Sequence, residues 1–262
     1  LTAEVTVAAC TDIGRVRRLN QDAYAVDAER RVYIVCDGMG GAAGGEVASA
    51  IAVESFLTHF RKEKFEPGGD GAKDALFHAA TAANDAIFQR AEKQPALYGM
   101  GSTLVAAHID DNRLLLVNVG DSRAYLVRDG QCSQLTVDHS FLGEQVRAGL
   151  MSQEAADASA LQSVITRAVG IDPEVHPDLF GVALEAGDCV LLTTDGLTRH
   201  VMETEIAQLI GEDTSLQLET RCGNLVKLAN ERGGSDNITC VLLEVGPRAS
   251  AMLPPDEELL AA

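Results

Sequence analysis

The chain alternates between short, unbroken apolar runs and longer stretches where apolar residues recur every three or four positions. Residues 5–9, 32–36, 103–107, 114–119, 124–127, 190–194 and 238–245 are rich in aliphatic and β-branched side chains. Such runs predict strands, and the continuous apolarity of several predicts strands covered on both faces. Asp111-Asn112 and Asp129-Gly130 fall between consecutive runs and predict hairpin turns, hence antiparallel pairing. Helical spacing links Val47, Ala50, Val53, Leu57 and Phe60, then Leu76, Ala80, Ala83 and Ile87, then Leu218, Cys222, Leu225 and Ala229. Thr214 with Gln217 reads as a capping box opening the last of these helices. Residues 151–163, rich in Ala, Ser and Gln with weak periodicity, read as a mobile, partly helical insertion, and residues 66–71 as a helix–helix loop. Strands, a helical pair, more strands and later helices predict one α+β domain over residues 1–246. The segment 247–262, with Pro254-Pro255 before acidic and small residues, reads as a loosely ordered tail.

At 262 residues the chain is long enough to bury a sizeable core without disulfide staples. Its 21 Lys+Arg against 39 Asp+Glu give a net charge of −18. That balance argues against nucleic acid and anionic membrane surfaces as partners, because both select a basic footprint. It leaves open an anionic substrate at a site that itself holds cations. No membrane span is expected, since no stretch of 18 apolar residues occurs. The opening LTAEVTVAAC has no basic and then apolar region of the kind a signal peptide needs, so a cytoplasmic protein is expected. None of the six cysteines forms a C-x-x-C pair, and three lie in apolar runs, which predicts buried thiols in a reducing compartment.

The aspartates stand in a pattern. The run 32–36 leads into Asp37-Gly38, the run 190–194 into Asp195-Gly196, and the run 114–119 into Gly120-Asp121, while Asp236-Asn237 precedes the run 238–245. Asp-Gly is also the commonest hairpin signal, and Asp129-Gly130 reads as no more than that. Asp37-Gly38, however, is followed by Met39-Gly40-Gly41 and a helix, and Asp236 follows Gly233-Gly234-Ser235. Converging carboxylates must protonate or bind hard cations, and an oxygen-only donor set suits Mg²⁺ or Mn²⁺. The glycine-rich stretch 38–45 lacks both the G-x-G-x-x-G spacing and the Lys-Ser/Thr of nucleotide loops. Arg15, Arg17 and Arg18 stand out in so acidic a chain as candidates for a phosphate clamp.

In order, the segments TDIGRVRRLNQDAY (11–24), VCDGMGG (35–41), GMGSTLV (99–105), NVGDSRAYLVRDG (118–130), LTVDHS (135–140), ITRAVG (165–170), LLTTDGLT (191–198) and GGSDNIT (233–239) resemble the metal-dependent type 2C serine/threonine protein phosphatases, in their compact bacterial form. The resemblance implies a four-layer α-β-β-α sandwich, two antiparallel sheets flanked by helices, with a binuclear Mn²⁺/Mg²⁺ centre at one end. It implies Asp37 as bridging ligand with the Gly38 carbonyl beside it, Asp195 and Asp236 as direct ligands, and Asp22 as an acid holding metal-bound water. It further implies Asp121 as ligand of a third, weaker ion, Arg17 as the phosphate-binding arginine, and a flap over about 141–163. Arg15 and Arg18 do not align with that arginine and read as solvated. The expected reaction is hydrolysis of phosphoserine and phosphothreonine by direct attack of a metal-bridging hydroxide. The expected partners are phosphorylated proteins, targets of a bacterial Ser/Thr kinase, met by a monomer.

The chain also departs from the family pattern. Met39 stands where His often follows Asp-Gly, and Thr198-Arg199-His200 where an acidic residue often follows the second Asp-Gly. His139 reads as a structural hydrogen-bonding residue. Two rivals remain on the sequence alone: a catalytically silent signalling module of the same fold, and a nucleotide-binding protein.

Overall fold

The computed structural model describes residues 3–157, 159, 161, 163–211 and 216–248. Strands β1 (Ala3–Asp12), β2 (Asp22–Asp27) and β3 (Val32–Met39) precede two long helices, α1 (Gly41–Phe60) and α2 (Gly71–Lys93). A central run of strands follows: β4 (Gly101–Ser102), β5 (Leu104–Asp110), β6 (Arg113–Val119), β7 (Arg123–Arg128) and β8 (Gln131–Gln134). Two short helices, α3 (Phe141–Arg147) and α4 (Gln153–Asp157), lead to β9 (Asp178–Ala183) and β10 (Cys189–Thr193). The chain then forms α5 (Asp195–Thr198), α6 (Glu203–Gly211), α7 (Leu218–Glu231) and β11 (Ile238–Arg248).

Two antiparallel sheets result, one ordered β1-β11-β10-β7-β8 and the other β2-β3-β5-β6-β9 with β4 on β3. The unbroken apolar runs are explained by what covers them. Along β3, Val32, Ile34 and Cys36 pack with α1 and α2, while Tyr33 and Val35 face the second sheet. Along β10 and β11, Leu191, Cys240 and Leu242 pack with α6 and α7, while Val190, Leu192, Val241 and Leu243 fill the inter-sheet layer. With a side-chain period of two, a strand buried on both faces must be apolar at every position. The four-layer α-β-β-α sandwich is therefore present as expected.

Both hairpins form. Asp111 (φ 57°) turns β5 into β6, and Asp129 (φ 51°) with Gly130 (φ 73°) turns β7 into β8 with the positive φ pair of a type I′ turn. The run 103–107 becomes β5, which starts at Leu104 and reaches Asp110; the short β4 lies just ahead of it. Strands β2, β8 and β9 are absent from the sequence reading; each is partly exposed, and β9 alternates strictly between partly buried and exposed positions. The capping-box reading does not hold at Gln217, which is the N-cap of α7 rather than its third residue and makes no side-chain cap bond; Thr214 lies outside the described residues. Burial of Leu218, Cys222, Leu225 and Val226 against the sheet sets where that helix begins. In the segment 151–163 the structure holds α4, with residues 158, 160 and 162 outside the described residues. β11 runs two residues beyond 246, pairing Arg248 with Ala3, so the strand crosses the expected tail boundary; residues 249–262 lie outside the described residues. Among the described residues no helix is long and apolar enough to cross a membrane.

Candidate functional site

Antiparallel register brings distant acids to one end of the sandwich. Asp22, first residue of β2, sits directly across from Asp37 near the end of β3. Asp195 opens α5 as β10 ends, Asp236 lies just ahead of β11, and Asp121 follows β6. Their backbones are pinned. The Asp37 amide donates to Thr103 Oγ1 (2.8 Å), and its carbonyl accepts from the Thr103 amide (2.8 Å) and the Ser102 hydroxyl (2.9 Å). Asn237 ties the N-terminal arginine loop to the last site loop: its Nδ2 donates to the carbonyls of Ile13 (2.9 Å) and Leu19 (3.0 Å), and its Oδ1 accepts from the Gln21 amide (2.8 Å). Glycines stand where the segments touch. A Cβ on Gly38 would fall 1.9 Å from the Gly45 carbonyl oxygen, and one on Gly196 1.9 Å from that of Asn237. No side chain fits such an approach.

The carboxylates resist ionisation together. Burial drives Asp37 well above the usual carboxylate range, reinforced by the charges of Asp22, Asp195, Asp121 and Asp236. Burial likewise lifts Asp22 to about 7, against hydrogen bonds from Thr239 Oγ1 (2.7 Å) and Thr194 Oγ1 (2.9 Å) to its Oδ2. Asp121 is lifted to about 7 by burial and by the charges of Asp195 and Asp138. Asp195 is raised too, chiefly by burial, although the Arg199 guanidinium opposes the shift. Oδ1 of Asp22 and Oδ1 of Asp195 are buried with no hydrogen-bond partner.

These acids open onto a cavity of about 520 Å³ lined in part by Arg17, Asp37, Gly38, Asp121, Asp195 and Asp236. Asp22 does not line the cavity; it pairs across from Asp37 and is held by Thr194 and Thr239. Arg17, half-exposed, donates to Asp236 Oδ2 at 2.7 Å. Arg18, read as solvated from sequence, also lines this cavity, whereas the Arg15 amide is spent on the Gly234 carbonyl (2.7 Å). Asp129 stays on the β7–β8 turn at the opposite end. His139 is a buried hydrogen-bonding residue: Nδ1 accepts from the Gly120 amide (3.1 Å) beside Asp121, and Nε2 meets Asp178 Oδ2 (3.1 Å). Burial lowers its basicity, which suits a neutral ring.

Sequence reasoning missed Arg199, Asn237, Thr194 and Thr239. The last three lie inside the quoted motifs, so the signal was present without a role. Arg199, flagged only as a departure, pairs with Asp195 and lies 3.9 Å from Asp236 Oδ2. Among the described residues no three acidic side chains converge into a finished ion cage; Asp195 and Asp236 are drawn to guanidiniums instead. The donor set nevertheless fits hard divalent cations. Its members are all oxygens, mutually repelling, and two carboxyl oxygens are buried without partners.

Comparison with known proteins agrees with this geometry. The chain is 36% identical over 238 residues to the protein phosphatase PhpP of Streptococcus pneumoniae, covering 90% of this chain and 95% of that one. It superposes with a TM-score of 0.84 on the crystal structure of the serine/threonine phosphatase PstP/Ppp of Mycobacterium tuberculosis, at 38% identity and covering 93% of this chain and 99% of that one. A structure of the catalytic domain of serine/threonine protein phosphatase PstP in complex with two manganese ions matches at 38% identity and TM-score 0.82, covering 94% of this chain and all of that one. The sequence profile of protein phosphatase 2C matches residues 15–235 of this chain, and the chain belongs to that family.

Proposed function

We propose that this chain is a divalent-metal-dependent phosphatase acting on phosphoserine and phosphothreonine in proteins. The observation that carries the reading is the gathering of Asp37, Asp121, Asp195 and Asp236 at one cavity, with Asp22 paired across from Asp37; Asp22, Asp37, Asp121 and Asp195 are raised by burial, and most by one another's charge. Solved structures named serine/threonine phosphatases, one of them with two manganese ions, support the substrate class and the metal. Asp37, the Gly38 carbonyl, Asp195 and Asp236 would hold two Mn²⁺ or Mg²⁺ ions, and Asp121 a third. When bound, such ions supply an activated water as nucleophile and positive charge for the phosphoryl oxygens.

The chain's own residues do the rest. Three direct carboxylates carry −3, less than two divalent ions bring, so the mouth of an acidic protein can accept a phosphate dianion. Asp22, held by Thr194 and Thr239 on Oδ2, keeps Oδ1 free to orient a water. Arg17 stands at the mouth with its guanidinium on Asp236 and can take a phosphoryl oxygen. Met39 lines the cavity where a proton donor would stand, and its thioether has no proton to give. All six cysteines are free thiols, which supports a reducing, cytoplasmic setting opposite a Ser/Thr kinase.

Hydrolysis of p-nitrophenyl phosphate and of a phosphothreonine peptide, with Mn²⁺ and with chelator, tests the reading. Turnover that requires the ion is expected; no turnover with Mn²⁺ at any pH would sink it. Arg17→Ala is expected to raise KM roughly ten-fold with a smaller change in kcat, the value of one charged hydrogen bond.

A further inference from the structure

Arg199 follows the single turn of α5, four residues after Asp195, so its side chain folds back onto that carboxylate. Its Nη2 bonds Asp195 Oδ2 and also donates to the Ser163 hydroxyl at 3.0 Å, while Nη1 lies 3.9 Å from Asp236 Oδ2. Asp121 feels the same charge. One guanidinium thus serves three of the five site acids and the last residue of the flap. It stands in the wall shared by the 520 Å³ site cavity and a second cavity of about 650 Å³ beneath the flap, lined in part by Arg123, Asp138, Leu142 and Arg147. Ser163 is not a free end. The next amide, Val164, donates to the Leu161 carbonyl (3.1 Å), and the Val164 carbonyl accepts from the Phe141 amide (2.8 Å) at the start of α3.

We propose that Arg199 is an internal competitor for the divalent ions at Asp195 and Asp236, and that its bond to Ser163 makes the flap's return to the core respond to ion binding. The proposal rests on the metal reading above. An ion reaching Asp195 finds Oδ1 without a partner and Oδ2 committed to the guanidinium, so Arg199 weakens binding without blocking it. The bound ion in turn repels the guanidinium, and the loosened side chain releases Ser163. The coupling is mutual: whatever strengthens the Arg199 contacts weakens the ion, and the reverse. Arg17 differs: among the described residues its guanidinium bonds to Asp236 and to no flap residue, though its charge also reaches Asp195.

The experiment is Mn²⁺ titration of the full chain by calorimetry, together with amide hydrogen exchange at Val164, for the unmodified protein, Arg199→Gln, Arg199→Lys and Asp236→Asn. Removing a like charge a few ångströms from the ion should tighten Mn²⁺ binding roughly ten-fold or more in Arg199→Gln. Arg199→Lys keeps the charge and should stay near the unmodified affinity, which also covers the case where the Gln variant folds poorly. Mn²⁺ should speed Val164 exchange in the unmodified chain, and in Arg199→Gln that exchange should be fast with or without the ion. Arg199→Gln affinity within about two-fold of the unmodified chain, at full folding, overturns the competition. Val164 exchange indifferent to Mn²⁺ overturns the flap link. If the unmodified chain and Asp236→Asn both fail to bind Mn²⁺, the metal reading itself falls; binding that only Asp236→Asn loses, with Arg199→Gln unchanged, rejects the Arg199 role alone.

Discussion

The two ends of the sandwich bury aspartates in opposite ways. At the end away from the cavity each acid has its own cation and backbone amide. Asp27 accepts from Arg61 Nε (2.7 Å) and the Arg30 amide (3.0 Å), and Asp110 from Arg113 Nη2 (2.7 Å) and the Gly68 amide (2.9 Å). Asp188 accepts from Arg128 Nε (2.7 Å) and Nη2 (2.6 Å) and from the Glu185 amide (2.7 Å). Burial pushes Asp27 and Asp110 upward, yet these donors outweigh it and hold both below the usual range. At the cavity end burial acts with neighbouring carboxylates, and the shift goes the other way. Burial of an acid is therefore no functional signal by itself. What separates the two ends is whether the donors outweigh burial, as at Asp27 and Asp110, or do not, as at Asp195 despite Arg199.

The largest test of this contrast is at the cavity end. Asp37→Asn or Asp236→Asn should cut turnover roughly 10³-fold or more, because the charge that holds the ions is removed. Urea denaturation in chelator should show the fold unharmed. Asp188→Ala should do the reverse, losing about 2 kcal/mol as the bonds that its buried carboxylate takes from Arg128 and the Glu185 amide disappear, while kcat of the folded protein holds. A catalytic loss at full folding there would break the comparison.

Stability against pH in chelator reads both ends at once. The cavity acids bind protons more tightly in the folded chain than in the unfolded one. Their effect is thus to raise stability as pH falls from above about 7 toward the unfolded carboxylate value near 4. Asp27 and Asp110 contribute fully above that value and lose their contribution as pH falls through their depressed values. An optimum on the acid side of neutrality is expected, moving upward when Mn²⁺ is added, since ions bind ionised carboxylates. A flat profile between about pH 5 and 8 in chelator would count against the clustered site. The smallest effect belongs to Asp129→Asn, which keeps a residue tolerant of positive φ on an exposed turn and should change stability by less than about 0.5 kcal/mol.

Most of the seven apolar runs announced strands because burial on both faces leaves no polar position to obscure them; the run 5–9, on the edge strand β1, leaves Thr6 and Ala9 exposed. β2, β8 and β9 were hidden for the converse reason, each exposing a face or an edge to water. Asp37, Asp121, Asp195 and Asp236 were legible because each stands at the end of an apolar run, where a strand must deliver it to the rim of a sheet. Asp22 was reached only by resemblance, which also picked Arg17 out of the three arginines that the charge pattern had singled out. Arg199 was not legible as a partner of the site. Its meaning depends on the one-turn helix that returns it to Asp195 and on Ser163, 36 residues away, arriving at its other side.

By itself, then, the sequence determined the elements and the acids at their ends, since periodicity and local composition are properties of neighbours along the chain. The tertiary structure decided which aspartates share a site and which receive an arginine, and it placed Asn237 and Arg199 between segments. Electrostatic effect falls with distance in space, not along the chain, and only the folded register turns Asp22 and Asp37 into neighbours while parting Asp22 from Asp27.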